Sequence, residues 1–141
     1  MRSTIRVYLP ATVPALAELR DRGQLPAPAG YAVTAGLREQ LGDDDDEQLA
    51  YAAFQLAAAA SLELVRADPA AARRRVVVSV DAPAAPAGGD GQVALAGPVP
   101  LAAVAAIHMD GGAAEPAVAA GDPAEHELEW YDVSELAQLL A

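Results

Sequence analysis

Apolar and polar positions alternate in several short stretches of the chain, and each such stretch predicts a half-buried strand. Ile5, Val7 and Leu9 alternate with Arg6 and Tyr8, and Pro10 ends the run. Val76-Val77-Val78-Ser79-Val80 gives the strongest strand signal, led by Arg73-Arg74-Arg75. Gln92 to Ala96, Ala105 to Asp110 and Glu127 to Tyr131 read as further strands, with Tyr31-Ala32-Val33 a short one. Helices announce themselves by their ends. Thr12 reads as an N-cap, Pro14 lies in the first turn where its missing N–H costs nothing, and Gly23 stops the helix. Thr34 caps a second helix that runs through Leu41 to Gly42. A long helix from about Asp45 to Ala67 has apolar residues all round its wheel, the pattern of a buried element. It is expected to be the most buried part of the molecule. Asp43 to Asp46 put negative charge at its N-terminus, where the helix dipole favours it. Short helical segments are expected after Pro98 and Pro100 and over Ala113 to Ala120, and a last helix is capped by Ser134. Gln24 to Gly30 reads as a connector, and Ala82 to Gly91, rich in Pro, Gly and Ala, as a loop.

These elements predict one α+β domain over residues 1–141: a mixed, largely antiparallel sheet of five or six strands, with helices mainly on one face and one long buried helix. Side chains alternate across a strand, so each strand has two faces. The apolar set, with Ile107, Met109, Leu128 and Trp130, is expected to pack on the helices. The opposite side would then display Arg6, Tyr8, Ser79, Asp81, His108, Asp110, Glu127, Glu129 and Tyr131. A polar sheet face can simply meet water, and Glu on a terminal strand discourages edge pairing. The same face, bearing Tyr, Arg and His, is also a candidate surface for binding a partner or a second copy.

Composition narrows the partners. The 141 residues are 53% hydrophobic, which excludes a disordered or fibrous chain, but 36 of them are Ala and only six are aromatic. The core must rest on a few Leu, Val and Ile with small residues between them. All nine cations are Arg, a skew that suits the codon bias of a GC-rich genome. Twenty acids give a net charge of −11, which opposes binding to nucleic acid and to anionic membrane. With no Cys, disulfides and thiolate chemistry are excluded. The N-terminus has no apolar stretch of a signal peptide. Leu49 to Leu62, the longest nearly apolar run, falls short of the roughly 20 residues of a membrane span. The expectation is a cytoplasmic protein.

Catalytic and metal motifs are sparse. His108-Met109-Asp110 and Glu125-His126-Glu127 offer nitrogen and oxygen ligands, but neighbours on a strand point to opposite sides, so no metal and no cofactor are expected. None of the four serines sits in a G-x-S-x-G turn, and no Walker-type loop can exist without Lys. Gly88-Gly89-Asp90-Gly91 leads into a strand, the setting of a surface loop. Arg73-Arg74-Arg75 could clamp an anion or lie against acids elsewhere on the chain, of which Asp43 to Asp46 are the obvious complement. Asp81 and Asp110, both at strand ends, could pair for acid–base work. The reading favoured is a non-enzymatic interaction or accessory module, as a homodimer or with another protein. The alternative is a small-molecule or metal-dependent hydrolase with a site near His108 and Asp110.

Several blocks in order resemble a small actinobacterial family, a conserved domain of unknown function. They are Arg6-Val7-Tyr8-Leu9-Pro10-Ala11-Thr12, Ala32 to Glu39, Arg73 to Val78, Gly97-Pro98-Val99-Pro100-Leu101, Ile107 to Asp110 and His126 to Tyr131. The resemblance spans nearly the whole chain and implies no activity or site. The tail, Glu127 to Leu139, is similar to the closing strand and helix of Nudix hydrolases. Their glutamate-rich box is missing, so their activity is not implied.

Overall fold

In the computed structural model, which describes residues 3–26, 29–42 and 45–141, the strands form one seven-stranded antiparallel sheet and a small two-stranded ribbon. The strands are β1 (Ile5–Ala11), β2 (Gln24–Leu25), β3 (Ala29–Tyr31), β4 (Val76–Ala82), β5 (Ala84–Pro86), β6 (Gln92–Leu95), β7 (Val99–Pro100), β8 (Val104–Met109) and β9 (Glu129–Tyr131). The sheet runs β5-β6-β3-β1-β4-β8-β9, and β2 pairs with β7 beside it. The helices are α1 (Val13–Arg22), α2 (Ala35–Leu41), α3 (Asp46–Ala67), α4 (Glu115–Ala119) and α5 (Leu136–Leu139). The α+β class holds, with seven strands in the main sheet where five or six were expected. The extra strand is β5. Its residues lie in the expected loop and pair with β6.

Local chemistry sets the helix ends as the sequence implies. The Thr12 hydroxyl accepts from the Ala15 N–H and Gly23 closes α1 with φ of 72°. Thr34 and Gly42 do the same for α2. Asp45 caps α3 by accepting from the N–H groups of Glu47 and Gln48, while Asp43 and Asp44 lie outside the described residues. At the C-terminal end the expectation was wrong by two residues. Asp132, not Ser134, is the cap: it caps the 3-10 turn Val133–Glu135 that leads into α5, where its carboxylate and Glu135 form a reciprocal capping box.

Helices cover both faces of the sheet, which corrects the expectation of a one-sided arrangement. Val7 and Leu9 of β1, Val76, Val78 and Val80 of β4, and Ile107 and Met109 of β8 form one face, against Leu16 and Leu19 of α1 and Leu136 of α5. Across the sheet, Tyr8, Tyr31 and Val77 meet α3 through Leu49, Ala53, Phe54, Ala57 and Ala58. The central strand β4 therefore has Val76 to Val80 buried on both sides, and each such Val contributes about 1.5–3 kcal/mol. It, rather than α3, is the most buried element. α3 buries one stripe (Leu49, Ala53, Ala57, Ala58, Ser61, Val65) and leaves Tyr51 and Leu64 exposed. Alanine explains the difference: it makes every side of a helix look apolar, yet costs little where it faces water. By length and composition alone this helix could also cross a membrane; here its Ala stripe lies against the sheet.

One polar group crosses the α3–sheet contact. The buried Ser61 hydroxyl donates to the Ala11 carbonyl, at 2.7 Å, and accepts from the Val76 N–H, at 2.8 Å. It thereby pins α3 to paired positions of β1 and β4. Ser61→Ala leaves both backbone groups without that partner, and a stability loss of about 2–4 kcal/mol is expected. Urea denaturation of the two proteins checks this; a loss below about 0.5 kcal/mol, the scale of a neutral surface change, would mean that water replaces the hydroxyl.

Candidate functional site

The middle of the sheet, under the N-terminal half of α3, gathers most of the chain's unusual chemistry. Register decides what meets there. Tyr8 pairs with Ser79 and with Tyr31, Ser79 with Ala106, Val77 with His108, and His108 with Trp130. Cross-strand partners point the same way, so these side chains share the face that α3 covers.

The Arg75–Asp110 pair is the strongest polar feature. Arg75 precedes β4 and Asp110 follows β8, side by side on antiparallel strands. Asp110 is fully buried and the Arg75 side chain is 8% exposed. One carboxylate oxygen accepts from the Arg75 backbone N–H and Nε–H, the other from Nη2, all at 2.8 Å. The Asp110 N–H returns a bond to the Arg75 carbonyl. Nη2 also donates to the His126 carbonyl, at 2.8 Å, and so holds the segment that enters β9. The rest of the arginine run is used in the same internal way. Arg73 donates to the carbonyls of Asp68 and Ala71, and Arg74 lies 3.5 Å from Glu115. The complement expected in Asp43 to Asp46 is thus corrected. Asp45 caps α3, Asp46 pairs with Arg38, and the other two are outside the described residues.

His108 Nε2 lies 2.8 Å from the Ser79 hydroxyl, and its ring meets Phe54 edge-on with centroids 4.8 Å apart. Burial, with a smaller contribution from the Arg6 charge, pulls the His108 pKa down to about 4. Beside it, α3 and residues 126–128 enclose a cleft of about 200 Å³ lined by Tyr51, Phe54, Gln55, Arg75, His108, His126, Glu127 and Leu128. Larger hollows of about 500 and 460 Å³ lie elsewhere, walled mainly by Ala, Pro and Leu.

The residues expected on one open polar face fare differently. Arg6 and Asp81 are cross-strand partners joined at 2.9 Å, and this hydrogen bond raises the Arg6 pKa. Tyr8 lies under α3, its ring 5.8 Å from Phe54, and Ser79 and Asp110 are buried. Glu127 and Glu129 are exposed. Tyr131 is on the wrong face in that reading: it pairs with Ile107 and packs in the α1-side core, while Trp130 turns to the His108 side and is 61% exposed. The expected Asp81–Asp110 pair does not form, since each is held by its own Arg. Among the described residues no three His, Asp or Glu side chains converge as metal ligands. The sequence reading missed the cleft itself, Tyr51, Phe54 and the Arg75–Asp110 link; the link had a signal, since both residues abut strong strand segments.

A model of a family described as a family of unknown function, DUF6912, matches residues 5–140. The chain belongs to that family. No curated protein and no solved structure matches it. For this family member, two measurements test the site's electrostatics. Asp110→Asn strands a buried guanidinium, and a loss of about 3–5 kcal/mol is expected, largely recovered by the apolar pair Arg75→Met with Asp110→Leu. Equal losses in the single and double variants would contradict this.

The His108 pKa is lower folded than unfolded, so the unfolded chain binds the extra proton first. Its contribution to stability is complete above about pH 6.5 and falls as pH drops towards 4. Wild type should therefore lose more stability over that window than His108→Gln in matched denaturation series. Parallel curves would show that His108 is solvated.

Proposed function

We propose that this protein is a non-enzymatic interaction module of the cytoplasm that engages a protein partner, another protein or a second copy, at the rim formed by β9. The observation that carries this reading is Trp130. It is the chain's only Trp, and it stands 61% exposed on the edge strand of the sheet. Trp is enriched at interface hot spots. The edge strand adds backbone groups with no paired strand on their outer side among the described residues, the element through which strands recruit partners. The polar face of the sheet, the surface first expected to bind, is covered at its centre by α3.

The engagement of the central polar groups supports a non-catalytic role. Both Asp110 oxygens are taken by Arg75, and the Nε2 of His108 by Ser79. The alternative, a hydrolase near His108 and Asp110, draws on the Ser79–His108 contact, which has the form of a nucleophile and base. Ser79, however, is 2% exposed beneath α3, where no substrate carbonyl can reach its hydroxyl without displacing the helix.

A photo-crosslinking residue at position 130, expressed in the native host, is expected to give discrete adducts that the same residue at exposed Ala59 does not. Adducts of twice the chain mass would identify a second copy. If position 130 gives no adduct and the protein stays monomeric at every concentration in light scattering, the reading fails.

A further inference from the structure

We propose that the cleft between α3 and residues 126–128 is a binding site for a small uncharged aromatic carbonyl compound, of the aryl amide class, whose oxygen docks on Arg75. This site adjoins the β9 rim, since His108 of its lining pairs with Trp130, and a small-molecule ligand there goes beyond the interaction role. The argument starts from the guanidinium. Nε donates to Asp110, and the two N–H groups of Nη2 are taken by Asp110 and the His126 carbonyl. Nη1 is left with two donors and no partner among the described residues. No fully buried side-chain nitrogen or oxygen there lacks a partner, so Nη1 is not fully buried, and Arg75 is part of the cleft lining. The assignment takes Nη1 as the donor edge that this side chain, more than nine-tenths buried, presents to the hollow.

Charge chooses the acceptor. Arg75 is already neutralised by Asp110, and Glu127 stands on the cleft wall. Residues 1–75 carry nine Arg against ten carboxylates, whereas residues 76–141 carry ten carboxylates and no Arg or Lys. An anion would approach against that field, and a cation would meet N–H donors. A neutral carbonyl satisfies the donors without either cost.

Shape and walls choose the rest. Tyr51, Phe54 and His108 give aromatic surface and Leu128 apolar surface. His108 presents its ring uncharged, its Nε2 occupied by Ser79. Flat rings pack well against such walls. Gln55 supplies an amide oxygen that can accept from a ligand N–H, which favours an amide over a ketone. At about 200 Å³ the cleft is smaller than the roughly 300–1,000 Å³ of drug-sized sites, so it suits one ring with its head group.

The test is a titration of the isotope-labelled full chain with benzamide, benzoate and benzylamine, read by amide chemical shifts. Benzamide is expected to shift His126, Glu127 and Leu128 saturably, with a dissociation constant on the order of 1 mM for so small a ligand. Benzoate and benzylamine should bind at least about tenfold more weakly. The exposed variant Gln55→Trp, which fills the mouth from the helix surface, should abolish the response while its thermal unfolding stays that of wild type. Glu127→Gln should strengthen benzoate several-fold. An unsaturable benzamide response, benzoate binding as tight as benzamide, or unchanged binding in Gln55→Trp would each overturn the assignment.

Discussion

The buried ion pair between Arg75 and Asp110 is the constraint on which the arrangement of the sheet's β8–β9 side depends. Taking two charges out of water is costly, and such a pair is tolerated only when its geometry is complete. Here the backbone N–H of Arg75 and two guanidinium N–H groups converge on one carboxylate, and the Asp110 N–H answers to the Arg75 carbonyl. A shift of either residue along its strand would break all of these together. The pair therefore locks the register at the point where β4 begins and β8 ends. Through the His126 carbonyl it also decides where the chain enters β9, and hence where Leu128, Trp130 and the cleft wall lie.

Much of the fold was legible because it is written in local chemistry. Thr12 with Gly23 and Thr34 with Gly42 delimit their helices by capping, and alternation located β1, β8 and β9 to within a few residues. The layering was not read correctly, although its signal was present. Val76-Val77-Val78-Ser79-Val80 does not alternate, and a continuous apolar run is what a strand buried on both faces requires. Alternation in the outer strands suggested a single covered face and prevailed. Once α3 lies on that second face, the polar side chains there cease to be a surface. Tyr8 and His108 become partners of Phe54, and Ser79 a partner of His108.

The candidate site was less legible, because it depends on relations that one strand's pattern does not contain. His108 and Asp110 could be named from the sequence as the polar residues of β8 and its end, but their partners are far off in sequence. Arg75 is separated from Asp110 by 35 positions, and Phe54 comes from the helix on the far side of the first crossover. Alternation grouped Trp130 with Leu128 as the apolar face of the last strand, expected beside Ile107 and Met109, and Tyr131 with the glutamates. Register puts Tyr131 opposite Ile107 and Trp130 opposite His108 instead, a relation that the pattern of one strand does not contain.

A sheet covered on both faces leaves binding to its margins, and the two margins of this one differ. At β5 the edge carries Pro86, with Pro83 just before it, and Pro removes the N–H that a pairing strand would need. At β9 the edge keeps its N–H groups, and its outward protection is charge, from Glu129 and the neighbouring Glu127. The cations that could neutralise these carboxylates are committed elsewhere. Arg6, Arg74 and Arg75 cross from the first half of the chain to Asp81, Glu115 and Asp110, and the remaining acids of the second half have no cation of their own segment to meet. On the proposed interaction reading, the carboxylates at β9 would act as a filter. They would disfavour another copy of the same acidic edge unless that copy brought its own compensation, and would favour a neutral or basic surface at Trp130.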